Sequence, residues 1–398
     1  MLTGKTIVLG VTGSIAAYKT ANLASMLVKL NADVHVIMTQ NATHFITPMT
    51  FETLTNNKCI VDTFDRNFSF DVKHVSLAKK GDLFLVAPCT ANVIGKVANG
   101  ICDDMLTTTI MATKAPVLFS PAMNTGMWEN PILQDNLRKL NDYGYHIIQP
   151  VEGRLACGDI GSGKMPSEEV LLDHILLHLA KEKDLKGRRV LITAGPTQEP
   201  IDPVRYITNH SSGKMGYAIA KMAMLRGATV TLVSGPVAIK PFTGIQTVAV
   251  TTAQDMYDAV TVRSQESDII IMCSAVADYT PSHCAPQKMK KGDNDLSIPL
   301  SRTKDILQYL GEHKPKGQLL VGFSMETENL IGNSQAKLVK KHADLICANS
   351  ISDHKTGFGV DTNKVTLISQ TGVKELPLCS KEETADMILC YIADMIKA

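Results

Sequence analysis

The sequence predicts an α/β protein made of two Rossmann-like domains with mainly parallel sheets. Three observations carry this expectation. Apolar strand patterns alternate with helical apolar spacing. Small-residue loops stand where a first strand passes into a helix. The whole layout begins twice, once at the N-terminus and again after the charged stretch AKEKDLKGRR, residues 180–189. The boundary falls so that 1–186 form one domain and 187–398 the other.

In the first domain KTIVLGVTG reads as a strand ending in glycine, SIAAYKTANLASMLVKL as an amphipathic helix, and DVHVIMT as the second strand. DLFLVAP and APVLFSP supply further strands, with helices between them. In the second domain RRVLITAGPT is a strand, KMGYAIAKMAMLRG a helix and ATVTLVSGP a strand. SDIIIMCSA, GQLLVGFS, ADLICANS and NKVTLIS are later strands, and EETADMILCYIADMIKA closes the chain as an amphipathic helix. This βαβ alternation implies parallel strands with helices on both faces.

Composition narrows the function. The chain of 398 residues has a formal charge of +1 with 20% charged residues, so no global field draws it to nucleic acid or an anionic membrane. No apolar run approaches the roughly 18 residues of a membrane span, and the start lacks a signal-peptide layout. Nine cysteines are scattered without a C-x-x-C pair, which suits reduced thiols in the cytoplasm rather than a zinc or disulfide framework. His174 and His178 stand i, i+4 on a helix; without a third ligand, a solvated face is the favoured reading over a metal pair.

The glycine loops carry the chemistry. In GVTGSIA, Gly10 to Ala16, free N–H groups at a helix start face a phosphate or close an ordinary tight turn. The loop lacks G-x-G-x-x-G, and the second strand ends in Met38-Thr39-Gln40-Asn41 with no acid to hold a ribose. That favours FMN, whose phosphate is its terminus, over NAD. The long polar segment TAGPTQEPIDPVRYITNHSSGKMG offers Arg205, Asn209, Ser211, Ser212 and Lys214 to phosphate or carboxylate groups. GDIGSGKMP, Gly158 to Pro166, imitates a P-loop but puts Met165 where a Ser or Thr should meet Mg2+. Pro166 also delays the helix start to about Pro166-Ser167-Glu168. A glycine-rich flap that can open, carrying Cys157, is the better reading.

Four segments resemble the flavin-dependent cysteine decarboxylases: DVKHVSLA with His74, APCTANVIGKVANGICDDMLTT, PAMNTGMW and ACGDIGSGKM. Residues 187–398, with ITAGPTQEPIDPVRYITNHSSGKMG, SAVADY and KMKK, resemble phosphopantothenate–cysteine ligase. The order of the units is similar to that of the bifunctional bacterial enzymes of coenzyme A biosynthesis. The resemblance implies CTP-dependent joining of 4'-phosphopantothenate and L-cysteine through an acyl-cytidylate. FMN-dependent decarboxylation to 4'-phosphopantetheine follows. It also implies Mg2+, with no metal ligands identified, and a homo-oligomer in which decarboxylase trimers and ligase dimers can build a dodecamer.

Site residues follow from the same resemblance. His74 is implied as base or carboxylate-binding group, Asn124 as a carboxylate hydrogen-bond donor and Cys157 as the acid that returns a proton. FMN contacts are implied at Gly13, Ser14 and Ile15, at Thr39 and Phe45, and at Pro88, Thr90, Asn92 and Asp103. In the second domain Lys288 is implied as the catalytic lysine, and Asn209 as the residue handling the acyl intermediate. Nucleotide contacts are implied at Met272, Cys273, Ser274, Asp278, Lys288, Phe323, Lys337 and Lys341, and at Thr303-Lys304-Asp305-Ile306. That last segment departs from the family's usual Asn-Pro-Asp-Ile.

Overall fold

The computed structural model describes residues 1–64, 72–155, 158–290, 296–326, 328–350 and 359–397. They form two compact units, Met1–Lys181 and Glu182–Ala398.

The first unit is built on β1 (Thr6–Val11), β2 (Asp33–Met38), β3 (Leu83–Cys89), β4 (Val117–Pro121) and β5 (His146–Ile147), in the order β2-β1-β3-β4-β5. All four pairings are parallel. Every residue of β1, β3 and β4 is buried, as helices on both faces require of a parallel sheet. Val8, Phe84, Val86 and Phe119 pack there against Val93, Ile94, Leu106 and Leu137 from helices. Because the strands are parallel, the segments after β1, β2, β3 and β4 emerge at one edge. The order reverses beside β1, where a ligand crevice opens in such sheets.

The stretch that imitated a phosphate loop is a strand. β6 (Val151–Arg154) and β7 (Ile160–Lys164) pair antiparallel, and the connection is closed by bonds from Leu155 N to Asp159 O (2.8 Å) and from Gly158 N to Leu155 O (3.0 Å). Cys157, at that connection, lies outside the described residues. The following helix is Glu168–Leu179, with Ser167 extended before it, so the start expected from Pro166 is where it was read.

The second unit holds β8 (Arg189–Ala194), β9 (Gln198–Pro200), β10 (Tyr206–Thr208), β11 (Thr229–Ser234), β12 (Gln246–Ala249), β13 (Ile269–Met272), β14 (Tyr279–Pro281) and β15 (Leu300–Arg302). After these come β16 (Leu319–Glu326), β17 (Leu345–Ser350), β18 (Thr362–Asn363), β19 (Val365–Ser369) and β20 (Gly372–Glu375). Its main sheet runs β12-β11-β8-β13-β16-β17-β19-β20. The first six strands are parallel, and β19 and β20 add an antiparallel edge. The helix Lys214–Leu225 lies close on β8: a Cβ at Gly216 would stand 2.6 Å from Ala194 Cβ and 2.9 Å from Thr193 O. The long polar segment after β8 is not structureless, since β9 and β10 form a hairpin within it.

Candidate functional site

At the edge of the first unit, Thr12 ties two loops together. Its buried hydroxyl donates to Pro88 O (2.7 Å) and accepts from Thr90 N (3.0 Å). Gly13 is fitted tightly, because a Cβ there would stand 2.7 Å from Asn41 Cβ. The segments after β1, β2 and β3 are therefore held side by side, bringing Gly13, Thr39, Pro88 and Thr90 to one edge. Thr90 precedes the helix Ala91–Ala98 without a side-chain cap bond. Asn92 and Asp103 are exposed, and Asp103 pairs with Lys96 at 2.7 Å.

A cavity of about 640 Å3 in the second unit has a counterpart of about 630 Å3 here, lined by Ser14, Ile15, Lys19, Asn124, Arg154 and Lys164 among others. Ser14, Ile15 and Asn124, far apart in sequence, thus meet in one space. Gly13, Thr39, Phe45, Pro88, Thr90, Asn92, Asp103 and His74 are not among its walls. His74 is half-buried in the helix Lys73–Lys80, and Phe45 is 49% exposed. Asn124 is exposed and caps the short helix Thr125–Trp128, its Oδ1 accepting from Met127 N at 3.2 Å.

The glycines of β7 permit close approach to this segment. Met123 N donates to Gly163 O at 3.0 Å. A Cβ on Gly163 would stand 2.4 Å from Met123 O, and its φ of +127° lies where L side chains rarely go. Gly161 would place a Cβ 2.5 Å from Thr125 Oγ1. Gly163→Ala is expected to destabilise the first unit by about 2 kcal/mol or more, from backbone strain plus overpacking. Thermal unfolding of the full chain checks it.

In the second unit β8 and β13 deliver two loops to the crevice. Thr193 Oγ1 accepts from Cys273 N (3.1 Å) and Ser274 N (3.0 Å), and Thr197 Oγ1 accepts from Ala277 N (3.0 Å). Asn209 Nδ2 donates to Ala275 O at 2.6 Å while its Oδ1 accepts from Ser211 N at 2.9 Å. The loop 273–278 is thereby fixed from three sides.

The 640 Å3 cavity is walled by Met272, Ser274 and Asp278 from this loop, by Thr303, Lys304, Asp305 and Ile306, and by Phe323, Lys337 and Lys341. Cys273 lines an adjoining cavity of about 340 Å3, with Ser211, Ser212, Gly213 and Lys214 at the start of the helix Lys214–Leu225. Ser274, Asp278, Phe323 and Lys337 line both. Lys288 lines neither. It is exposed, next to Met289, whose backbone is gripped by Asp202 and Arg205. Arg205 pairs with Asp202 and is not a wall of either cavity.

The electrostatics favour an anion. Burial lowers the pKa of Lys337, whose ammonium donates to Phe323 O at 2.8 Å, and Lys341 beside it acts in the same direction against Glu326, Asp305 and Asp278. Burial would raise Asp305, but hydrogen bonds from Lys341 and from Gln308 N outweigh it and hold this carboxyl below its ordinary value. Anion affinity of this cavity is expected to weaken toward alkaline pH before an ordinary lysine would lose its proton, since the lowered pKa of Lys337 removes its charge early. A Lys337→Arg variant that still binds should lack this alkaline loss, as measured by pyrophosphate binding against pH.

Several contributors escaped the sequence reading. Thr12 acts through partners 76 and 78 residues away. Arg154 and Lys19 sit in segments with no motif of their own. Asn349 lines the smaller cavity, is 8% exposed, and its Oδ1 has no hydrogen-bond partner. The strand pattern ADLICANS placed it on β17 but could not say that it lines a cavity.

Comparison with known proteins finds two matched families along the chain. Residues 1–179 match the family described as Flavoprotein, and residues 185–396 match the DNA/pantothenate metabolism flavoprotein C-terminal domain. The coenzyme A biosynthesis bifunctional protein CoaBC of Bacillus subtilis (strain 168) is 46% identical over 401 residues, covering 100% of this chain and 98% of that protein. The protein of the same name from Escherichia coli (strain K12) is 43% identical over 392 residues, covering 98% and 96%. A crystal structure of the C-terminal domain of a CoaBC protein shares 47% identity and a TM-score of 0.47, covering 54% of this chain and 99% of that one. Sequence identity over the whole length and two matched families in the same order lead to one conclusion: the chain belongs to the family of bifunctional enzymes of coenzyme A biosynthesis, with decarboxylase and ligase activities.

Proposed function

We propose that residues 187–398 join 4'-phosphopantothenate to L-cysteine at the expense of CTP, and that residues 1–186 decarboxylate the product with FMN to give 4'-phosphopantetheine. The observation that carries the reading is the pair of adjoining cavities in the second unit, which share Ser274, Asp278, Phe323 and Lys337. A nucleotide in the larger and an acid in the smaller would meet at those residues. There the carboxylate attacks the nucleotide's α-phosphorus, pyrophosphate leaves, and the cysteine amine then displaces CMP from the acyl-cytidylate.

The chain's own groups position and neutralise. Lys337 and Lys341 would offer charge to the polyphosphate and Asn209 would hold the loop beside the reacting acyl group, while Lys288, exposed and outside both cavities, would have to reach in from the segment fixed at Met289. Among the described residues no three His, Cys, Asp or Glu side chains could hold a metal. Asp278 and Asp305 are the cavity's carboxylates. Mg2+ would therefore arrive with the nucleotide phosphates and keep much of its water.

In the first unit the close fit at Gly13, with Ser14 and Ile15 beside it, suits a bound FMN. FMN supplies the reversible electron acceptance that makes carboxylate loss from an N-acylcysteine feasible. Asn124 would hold the departing carboxylate without a charge that binds it too well. His74 would serve as base, and Cys157 would return the proton. Ile15 at 58% and Phe45 at 49% exposure, and His74 away from the single-chain cavity, support a homo-oligomer in which a second copy completes this site. Free cysteines throughout the described residues suit the cytoplasm, and no described helix is long and apolar enough to cross a membrane.

Product analysis tests the proposal. Purified chain with FMN, Mg2+, 4'-phosphopantothenate, cysteine and CTP should yield 4'-phosphopantetheine, CMP, pyrophosphate and CO2. Absence of CMP refutes the ligase half, and absence of CO2 from supplied phosphopantothenoylcysteine refutes the decarboxylase half.

A further inference from the structure

The cavity of about 630 Å3 in the first unit is lined by three cations, Lys19, Arg154 and Lys164, and by no carboxylate. One of the three is already engaged. Lys19 Nζ donates to Met165 O (3.1 Å) and Pro166 O (3.3 Å), pinning the chain just after β7 to the helix Ala17–Lys29. The other two are uncommitted. Neither the Arg154 guanidinium nor the Lys164 ammonium makes a hydrogen bond or ion pair among the described residues.

Both are carried by the antiparallel pair of β6 and β7. Arg154 ends β6 opposite Ile160, and Lys164 ends β7 opposite Val151. The Lys164 side chain turns back over β6: a Cβ at Gly153 would stand 3.4 Å from its Cδ and 3.6 Å from its Nζ. The ammonium thus lies beside the residue that precedes Arg154, and the two charges belong to one patch. Glu152, the acid nearest to it on β6, is not among the cavity's walls. Arg154 and Lys164 are exposed, so replacing either leaves the core intact.

Charge decides what such a patch takes. The reading above gives the substrate carboxylate to Asn124, a neutral amide on the same cavity. Two unpaired cations with no carboxylate among the walls suit a dianion, and a phosphomonoester carries about −1.5 to −2 near pH 7. A guanidinium grips two phosphate oxygens at once, and an ammonium adds a point charge. We propose that Arg154 and Lys164 bind the phosphomonoester of the N-acylcysteine substrate, so that the first unit selects the phosphorylated substrate over its unphosphorylated form. This rests on the decarboxylase reading given above. The phosphate is remote from the carboxylate that leaves, so its contacts are alike before and during bond breaking and act on KM more than on kcat. FMN carries the same chemical group, which that reading places at the loop of Gly13 and Ser14, and the test separates the two phosphates.

The test uses the full chain with FMN. CO2 release is measured on phosphopantothenoylcysteine and on pantothenoylcysteine, and bound FMN by its absorbance. The wild type should favour the phosphorylated substrate by about a hundredfold in kcat/KM. Arg154→Gln should lose about thirtyfold with that substrate, mostly as a raised KM, and only about twofold with the other. Lys164→Gln should lose about tenfold in the same pattern, and Arg154→Lys should recover part of the loss, since it keeps the charge without the fork. Bound FMN should match the wild type throughout. Losses of equal size with the two substrates, or a wild type indifferent to the phosphate, would overturn the assignment. So would loss of FMN from the variants, which gives the two cations to the cofactor's phosphate instead. A wild-type chain that releases CO2 from neither substrate refutes the decarboxylase reading itself, and this assignment with it.

Discussion

Asp202→Ala is expected to cut cysteine ligation by about a hundredfold while leaving decarboxylation of supplied phosphopantothenoylcysteine unchanged. The carboxylate is 3% exposed at the turn between β9 and β10. It accepts from Val204 N (2.8 Å), Arg205 N (2.9 Å), Arg205 Nε (2.9 Å) and Met289 N (3.1 Å). Arg205 returns a bond to Met289 O at 2.9 Å. Both backbone groups of Met289 are thus held, and Lys288 is placed by its neighbour. Without the carboxylate the Arg205 guanidinium loses its partner, Met289 N–H is released, and the lysine is no longer presented at one place. Asp202→Asn keeps one acceptor oxygen and should fall between the two. Arg205 first, with backbone N–H groups adding to it, keeps this carboxyl well below the ordinary carboxylate range. Its contribution is therefore complete above its unfolded-state pKa of about 4 and is lost only in strong acid. A flat dependence of this contribution between pH 5 and 8 accompanies the expectation, and wild-type ligation in the alanine variant would refute it.

That hub shows where sequence reading stops. The parallel strands were legible because each buries both faces and reads as an apolar run, as in TIVLGV and IIIM. The helix boundary after Pro166 was legible because proline restricts the residue before it. The loops after the first strand of each unit were legible as loops, through their glycines; Ser14, Ile15, Asn124 and the 303–306 segment, named from the resemblance alone, line cavities. The hairpin inside TQEPIDPVRYIT was not, since three-residue strands leave too short an alternation to recognise. Nor could spacing disclose what Arg205 does. It is a phosphate donor by residue type, yet its guanidinium is engaged by Asp202 and by Met289 O. GDIGSGKMP imitates a phosphate loop without being read as one. Glycine is chosen there for contact with Met123 and Thr125, and close approach leaves the same mark in sequence as phosphate binding.

The sharpest result expected in the first unit is for Asn124→Asp, which should lower decarboxylation by about two to three orders of magnitude with ligation intact. The substitution is chosen because it preserves the fold. Asp and Asn are nearly equal as helix N-caps, so the bond from Met127 N to the side-chain oxygen survives. The amide's Nδ2, which makes no hydrogen bond within the described residues, is replaced by a second carboxylate oxygen. On the proposed reading a donor to the substrate carboxylate becomes a like charge facing it, and Lys19, Arg154 and Lys164 around the cavity only partly offset the repulsion. Asn124→Ala removes the donor and the cap together, costing about 1 kcal/mol of local stability as well. A structural role alone would make alanine the worse variant; a carboxylate-binding role makes aspartate at least as damaging. With the complete substrate mixture, the aspartate variant should therefore accumulate phosphopantothenoylcysteine at the wild-type rate while releasing little CO2. If CO2 release keeps pace with CMP formation, Asn124 does not hold the carboxylate.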